Sequence, residues 1–261
     1  MSDDRIITLT TDFGLKDPFV GEMKGAVLTI HRPAILVDIT HEITSHDIRE
    51  GAFVIGSSYR YFPSGTIHVA VVDPGVGSER RPIIVEADGH CFVGPDNGIF
   101  SFPLSLFPDA RVFHSTEERY MLAQESPTFQ GRDIFAPVAA WLAKGTKVEE
   151  LGPRINDPEV FSLPLPRIEG ETVTGEVISI DKFGNAITTI TKNDLSSFGD
   201  RYSAALNGTP VSPLKYYGEA RDRNLHCLIN SSGYLELFVA LGSAAALFSI
   251  KRGDRVVVRP G

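Results

Sequence analysis

The chain carries only two cysteines, Cys91 and Cys227, far apart and outside any CxxC or Cys/His cluster. That scarcity excludes a disulfide framework and a structural zinc site, and leaves both thiols as small buried apolar groups. Long apolar runs are missing too. None approaches the roughly 20 residues needed to cross a bilayer, and the stretch MSDDRIITLTTDFG begins acidic and passes straight into a strand-like segment. A cytoplasmic protein with no membrane partner is expected. Positive charge is in deficit: 25 Lys and Arg face 33 Asp and Glu, a net charge of -8. Such a surface repels phosphate backbones and acidic lipids, so no nucleic-acid partner is expected.

Several catalytic signatures are absent as well. There is no GxxxxGK[ST] phosphate loop, no GxSxG nucleophile elbow and no HExxH zinc helix. Asp12-Phe13-Gly14 imitates the magnesium motif of kinases, but no glycine-rich loop, strand lysine or HRD segment precedes it.

What is present is a globular composition, 42% hydrophobic and 22% charged over 261 residues, long enough for two domains. The first half alternates strand and helix patterns. Ile6–Thr10, Ile35–Ile39 and Ile67–Val72 read as buried strands; Phe19, Met23, Val27 and Ile30 recur at helical spacing, with Asp17 as cap and Pro18 as first helical residue. A second helix carries Ile48, Ala52, Phe53 and Tyr59 and stops at Pro63 and Gly65. Pro82–Ala87 and Cys91–Val93 flank an Asp88-Gly89 turn and form a hairpin; a helix is expected from about Asp133 to Lys144, closed by Gly145. Residues 163–171, LPLPRIEGE, have the composition of a linker. Beyond it only short β-type runs follow, at Val173–Ile180, Ala186–Ile190, Tyr234–Val239 and Arg255–Val258. The expectation is an α/β domain at 1–165, with a mainly parallel central sheet and flanking helices, joined to an all-β barrel domain at 166–261.

Polar residues collect where these elements end. Asp12 closes the first strand, where ligands gather in open α/β sheets; its carboxylate suits the vicinal hydroxyls of a ribose, or simply caps a turn. Asp73 opens DPGVGSERR, a loop holding an acid and the base Arg80, to be read either as a site or as a surface salt bridge. Phe129-Gln130-Gly131-Arg132-Asp133 precedes a helix whose N-terminal amides favour polar ligands, unless Asp133 merely caps it. Asp181-Lys182-Phe183-Gly184-Asn185 and Asn230-Ser231-Ser232-Gly233-Tyr234 are polar loops between strands, equally good as turns or as purine and ammonium contacts.

Taken in order, TTDFG, VDPGVGSERR, FQGRDIFAP, IDKFGNAITTI and INSSGYLELFVALGSAA resemble the SAM hydroxide adenosyltransferases, relatives of the fluorinase and chlorinase enzymes. The resemblance runs from about Ile6 to Val258. It implies hydrolysis of S-adenosyl-L-methionine (SAM) to adenosine and methionine by attack of water or hydroxide at the ribose C5′. It further implies a homotrimer with sites between subunits. No cofactor is expected, SAM being the substrate, and no metal, because Asp73, Arg80 and Gln130 include a cation and an amide, a poor ligand set. By position, Asp12 would hold the ribose hydroxyls, Phe129 and Phe183 would contact adenosine, Asn185 would read the adenine edge and Asp181 would bind the methionine ammonium. Ser231 and Ser232 lie in the loop that contacts the methionine end, and His46 falls where the fluorinase has a tryptophan.

The halogenating relatives carry tyrosine at the position of Asp73, whose carboxylate should repel a halide. The water-using members pair an Asp and an Arg, matched by Asp73 and Arg80, with a His; here that place is taken by Gln130, in FQGRD instead of FHGRD. An amide can position water but cannot exchange a proton near neutral pH, so a loss of rate is expected. Two alternatives stay open. One is a non-catalytic SAM or adenosine binding module; the other is a metal-dependent nucleoside hydrolase using Asp12 and Asp17.

Overall fold

A computed structural model describes residues 5–199 and 201–261. The chain divides into two compact units, Met1–Leu163 and Pro164–Gly261.

The first unit runs β1 (Ile6–Thr11), α1 (Phe19–Ile30), β2 (Ile35–Thr40), α2 (Ile48–Ser58), β3 (Ile67–Val71), β4 (Pro82–Ala87), β5 (His90–Pro95), α3 (Ser101–Leu106), β6 (Arg111–His114), α4 (Ala136–Ala143) and β7 (Arg154–Ile155). Its strands make one sheet in the order β2-β1-β3-β5-β4-β6-β7. The β2, β1, β3 and β5 portion is parallel, and β4, β6 and β7 add antiparallel pairings. The period of two in β3 shows how the sheet is covered. Ile67, Val69 and Val71 enter the core built with α1 and α4, whereas Ala70 and then Val72 enter a second core containing Ile55 of α2, Phe92 and Phe100. The alanines of α4 are buried on nearly every side, so its backbone lies close against its neighbours.

Two local expectations need correction. Asp17 does not cap α1: Pro18 itself is the N-cap, its carbonyl accepting from Glu22 N–H at 2.9 Å, and Asp17 is exposed. Proline loses nothing there, since an N-cap N–H has no intrahelical partner. The helix expected from Asp133 begins instead as a π-helical turn, Gly131–Phe135, which passes into α4 at Ala136.

The second unit holds β8 (Arg167–Glu169), β9 (Thr172–Ile180), β10 (Ala186–Thr191), β11 (Tyr202–Leu206), β12 (Thr209–Pro213), β13 (His226–Ile229), β14 (Tyr234–Phe238), α5 (Ala244–Phe248) and β15 (Arg255–Pro260). The order β9-β10-β14-β13-β12-β11-β15 returns to β9, because β9 pairs with both β10 and β15, closing a seven-stranded barrel; β8 extends β9 outside the ring. Part of the segment read as a linker is therefore a strand. Val173 and Val177 of β9, Ile190 of β10, Leu206 of β11, Leu235 and Leu237 of β14 and Val256 and Val258 of β15 fill the interior. Each such side chain stabilises by about 1.5–3 kcal/mol.

Candidate active site

β1 is the point where the sheet changes direction, the chain passing first to β2 on one side and then to β3 on the other. Thr11 stands beside Val71 in the parallel register, so Asp12 and Asp73 leave the carboxyl ends of neighbouring strands, where open α/β sheets form their ligand crevice. From Asp73 the chain makes two tight turns, Val76 N–H to Asp73 O at 3.2 Å and Ser78 N–H to Gly75 O at 3.0 Å. They bring Arg80 back onto Asp73: Nε donates to Oδ1 at 2.9 Å and Nη2 to Oδ2. The side chains are 9% and 5% exposed, so this is no surface ion pair.

Arg80 Nη2 also donates to Gln130 Oε1, joining a residue 50 positions away to the pair. Gln130 is the residue on which the π-helical turn begins. Facing an arginine it must present its oxygen, which leaves its NH₂ as a donor on the other side. The guanidinium lies 5.3 Å from the Phe135 ring centroid, and its remaining nitrogen, Nη1, is buried without a hydrogen-bond partner among the described residues. Asp73, Arg80 and Gln130 thus form one cluster with an unused donor. Asp133 is not a cap; it is buried and accepts from Arg132, which also reaches Glu22.

Asp12 Oδ2 accepts the backbone N–H of His46 at 2.8 Å. His46 sits in the left-handed region at φ 68 with its side chain exposed. Beneath this crossing, Thr11 Oγ1 meets His41 Nδ1 at 2.9 Å, and His41 Nε2 lies 3.1 Å from Asp38, which binds Lys24. Burial opposes ionisation of Asp38, but Lys24 and His41 outweigh it and lower its pKa. Phe129 packs edge-on against Phe13 and Phe19 at 5.8 and 5.2 Å, with Arg132 over its ring at 5.1 Å. Sequence reading missed these two partners; the aromatic directly after Asp12 was the available signal.

In the barrel unit, the turn from β9 to β10 is organised by Asp181. Its Oδ1 accepts Phe183 N–H at 2.9 Å and Asn185 N–H at 2.8 Å, and its Oδ2 accepts Asn185 Nδ2 at 3.1 Å. Gly184 is required here: it lies at φ +83, and a Cβ would stand 2.0 Å from Ser243 Oγ. Asp181, Phe183 and Asn185 line an open cavity of about 860 Å³ with Tyr217, Phe238 and Ser243. The Phe183 ring is 66% exposed on its rim. Ser231 and Ser232 are not in this lining; they occupy the loop between β13 and β14, where Asn230 Oδ1 accepts the N–H groups of Ser232 and Tyr234 at 3.0 and 3.1 Å. Tyr217, Phe238 and the buried Glu236 were not anticipated. A charge at Glu236 between Leu235 and Leu237 was the readable sign. Among the described residues no group of three or more His, Cys, Asp or Glu is placed to hold a metal ion.

Comparison with known proteins places this geometry among relatives. The family profile described as SAM hydroxide adenosyltransferase N-terminal domain matches residues 7–152, and that of the C-terminal domain matches residues 175–257. The (R)-S-adenosyl-L-methionine hydrolase of Methanocaldococcus jannaschii is 37% identical, with 99% of this chain and 98% of that protein covered. The hydrolase of the same name from Salinispora arenicola is 36% identical, covering 98% of each. A fluorinase from an Actinoplanes species is more distant, 27% identical with 97% of each chain covered. A crystal structure of an uncharacterized conserved protein from Thermotoga maritima superposes with a TM-score of 0.90 at 33% identity, over 97% of this chain and 99% of that one.

Proposed function

Because the chain belongs to the SAM hydroxide adenosyltransferase family, we propose that it hydrolyses S-adenosyl-L-methionine to adenosine and L-methionine. In this reaction a water oxygen bonds to C5′ as the C5′–S bond breaks; the bonding pair leaves with sulfur, and the water gives up one proton. The sulfonium departs as a neutral thioether, so no acid is needed on that side. Methionine as the second product, a homotrimer with sites between subunits, and a cytoplasmic location belong to the same proposal. No cofactor or metal is invoked, SAM being the substrate itself.

The observation that carries this reading is the buried Arg80 guanidinium, held by Asp73 and Gln130, with Nη1 unpartnered. Both Asp73 oxygens already accept from Arg80. The cluster therefore suits stabilising hydroxide, through Arg80 Nη1 and the Gln130 NH₂, better than taking a proton from water. In the first unit Asp12 would accept the ribose hydroxyls on the oxygen not used by His46, and Phe129 and His46 would border the adenosyl group; in the barrel unit Phe183 and Asn185 would take the adenine. Asp181 would attract the methionine ammonium through the lone pairs its turn leaves over, and Ser231 and Ser232 would meet the methionine end. Incubation with SAM followed by chromatography tests the proposal: adenosine and methionine should rise together. Adenine release would overturn it, and no adenosine above the uncatalysed background would leave only a SAM-binding module.

A further inference from the structure

Glu236 points out of the barrel strand β14 into a place where nothing in the proposed chemistry uses a carboxylate, yet it is only 3% exposed. A carboxylate taken out of water must be repaid by hydrogen bonds. Two side chains supply them. Tyr217, on the cavity wall that also carries Phe183 and Asn185, donates its hydroxyl to Oε1 at 2.7 Å. Asn230 donates Nδ2 to Oε2 at 3.0 Å. Each donor serves a different part of the binding surface. The Tyr217 ring meets Phe238 edge-on at 4.9 Å and an interplanar angle of 81°, so its hydroxyl bond fixes the tilt of one wall. Asn230, through Oδ1, holds the backbone of the loop bearing Ser231 and Ser232.

We propose that Glu236 is a positioning residue that ties the adenine wall at Tyr217 to the Ser231–Ser232 loop, so that the two ends of the substrate surface are kept in register by one buried carboxylate. This deepens the reading of the barrel unit as the SAM-binding surface and rests on it. Glutamate meets both donors directly, one on each oxygen. Asn230 cannot turn its amide over without releasing two backbone N–H groups. Glutamine still offers its one oxygen to Asn230 and turns its NH₂ toward the tyrosine, whose hydroxyl rotates to accept. Leucine serves neither.

The test compares the wild type with Glu236→Leu, Glu236→Gln, Tyr217→Phe and the Glu236→Leu/Tyr217→Phe double variant, each checked for folding by circular dichroism and thermal melting. KM and kcat for SAM are measured together with calorimetric affinities for adenosine and for methionine. Glu236→Leu should raise KM about tenfold or more and weaken both adenosine and methionine, with kcat changed by less than about threefold. Glu236→Gln should recover most of the loss, and Tyr217→Phe should add almost nothing in the Glu236→Leu background. A folded Glu236→Leu enzyme with unchanged KM overturns the positioning role, as does a loss confined to kcat or to one ligand. If Glu236→Leu fails to fold, the Glu236→Gln and Tyr217→Phe pair decides: KM unmoved by Tyr217→Phe refutes the tie. A wild type that neither binds nor cleaves SAM refutes the underlying reading instead, and the two failures are told apart by that control.

Discussion

Arg80 holds Asp73 through Nε on Oδ1 and Nη2 on Oδ2, and it shares Nη2 with Gln130. In this arrangement the carboxylate already carries its counter-charge, and the only member that both donates and accepts hydrogen bonds is an amide, which cannot exchange a proton near neutral pH. Gln130→His adds a group that titrates near neutrality, and should raise kcat by up to about 10²-fold with little change in KM. Asp73→Asn should move the other way and lower kcat by about 10²-fold or more. Steady-state kinetics on both variants checks the pair. A Gln130→His enzyme no faster than the wild type would assign water activation to Arg80 and Asp73 alone.

Arg80→Ala is a different experiment, because it leaves Asp73 buried without its partner. A stability loss of about 3–5 kcal/mol is expected beside the loss of activity. Urea unfolding measures the first and steady-state kinetics the second, and Asp73→Asn, which leaves the buried Arg80 cation without its counter-charge, should be destabilised as well.

Gly184→Ala introduces a Cβ at φ +83 against Ser243 Oγ and Cα. The strain of that backbone region with a side chain costs about 1–3 kcal/mol, and the turn that displays Phe183 and Asn185 must shift to relieve the clash. Lower thermal stability together with a raised KM for SAM is expected, while Gly21→Ala on α1, where a Cβ meets nothing, serves as the control.

A buried pair of histidines couples the stability of the first unit to pH. His68 Nδ1 lies 2.8 Å from Thr8 Oγ1 and its Nε2 lies 3.1 Å from His90 Nδ1, with Tyr59 and Phe92 packed around them. Burial, and then the charge of His90, push His68 down to about 3 from 6.5, and burial lowers His90 as well. The folded state therefore keeps His68 neutral where the unfolded chain binds a proton. Its contribution is complete above pH 6.5 and is lost as pH falls toward 3, at a slope of about 1.4 kcal/mol per pH unit from this group. Urea midpoints measured between pH 7 and pH 5 should fall, and His68→Phe should flatten that dependence.

Much of this architecture was legible in local signals. The strands β1 to β3 stood out as β-branched runs, although β2, read as buried, is the edge strand of the sheet and holds no buried residue; Asp88-Gly89 marked a hairpin whose two residues do take positive φ, 51 and 74. The strands β11 to β13 escaped. YSAAL is short and rich in small residues and TPVSP carries prolines, and they become strands through pairing with β15 and β13. Asn207-Gly208, at φ 47 and 88, was nevertheless a hairpin signal of the same kind as Asp88-Gly89. At the site, Asp73 and Arg80 share one loop and could be paired from the chain alone. Gln130 entered only through the family motif, because its bond to Arg80 spans 50 residues. Glu236 stayed hidden for the same reason: its hydroxyl partner is 19 residues distant, in a segment with no periodicity.

The π-helical turn before α4 acts as a gear between two incompatible facings. Its widened bond runs from Ala136 N–H to Gly131 O, five residues back instead of four. One residue of an α-helix is worth about 100° of rotation. Trimming a single residue from Gly131–Phe135 would let the turn relax to α, and would swing Gln130 by that angle while leaving α4 seated in the core. The extra residue thus uncouples the direction in which Gln130 aims from the direction in which α4 packs, so each can be tuned without disturbing the other.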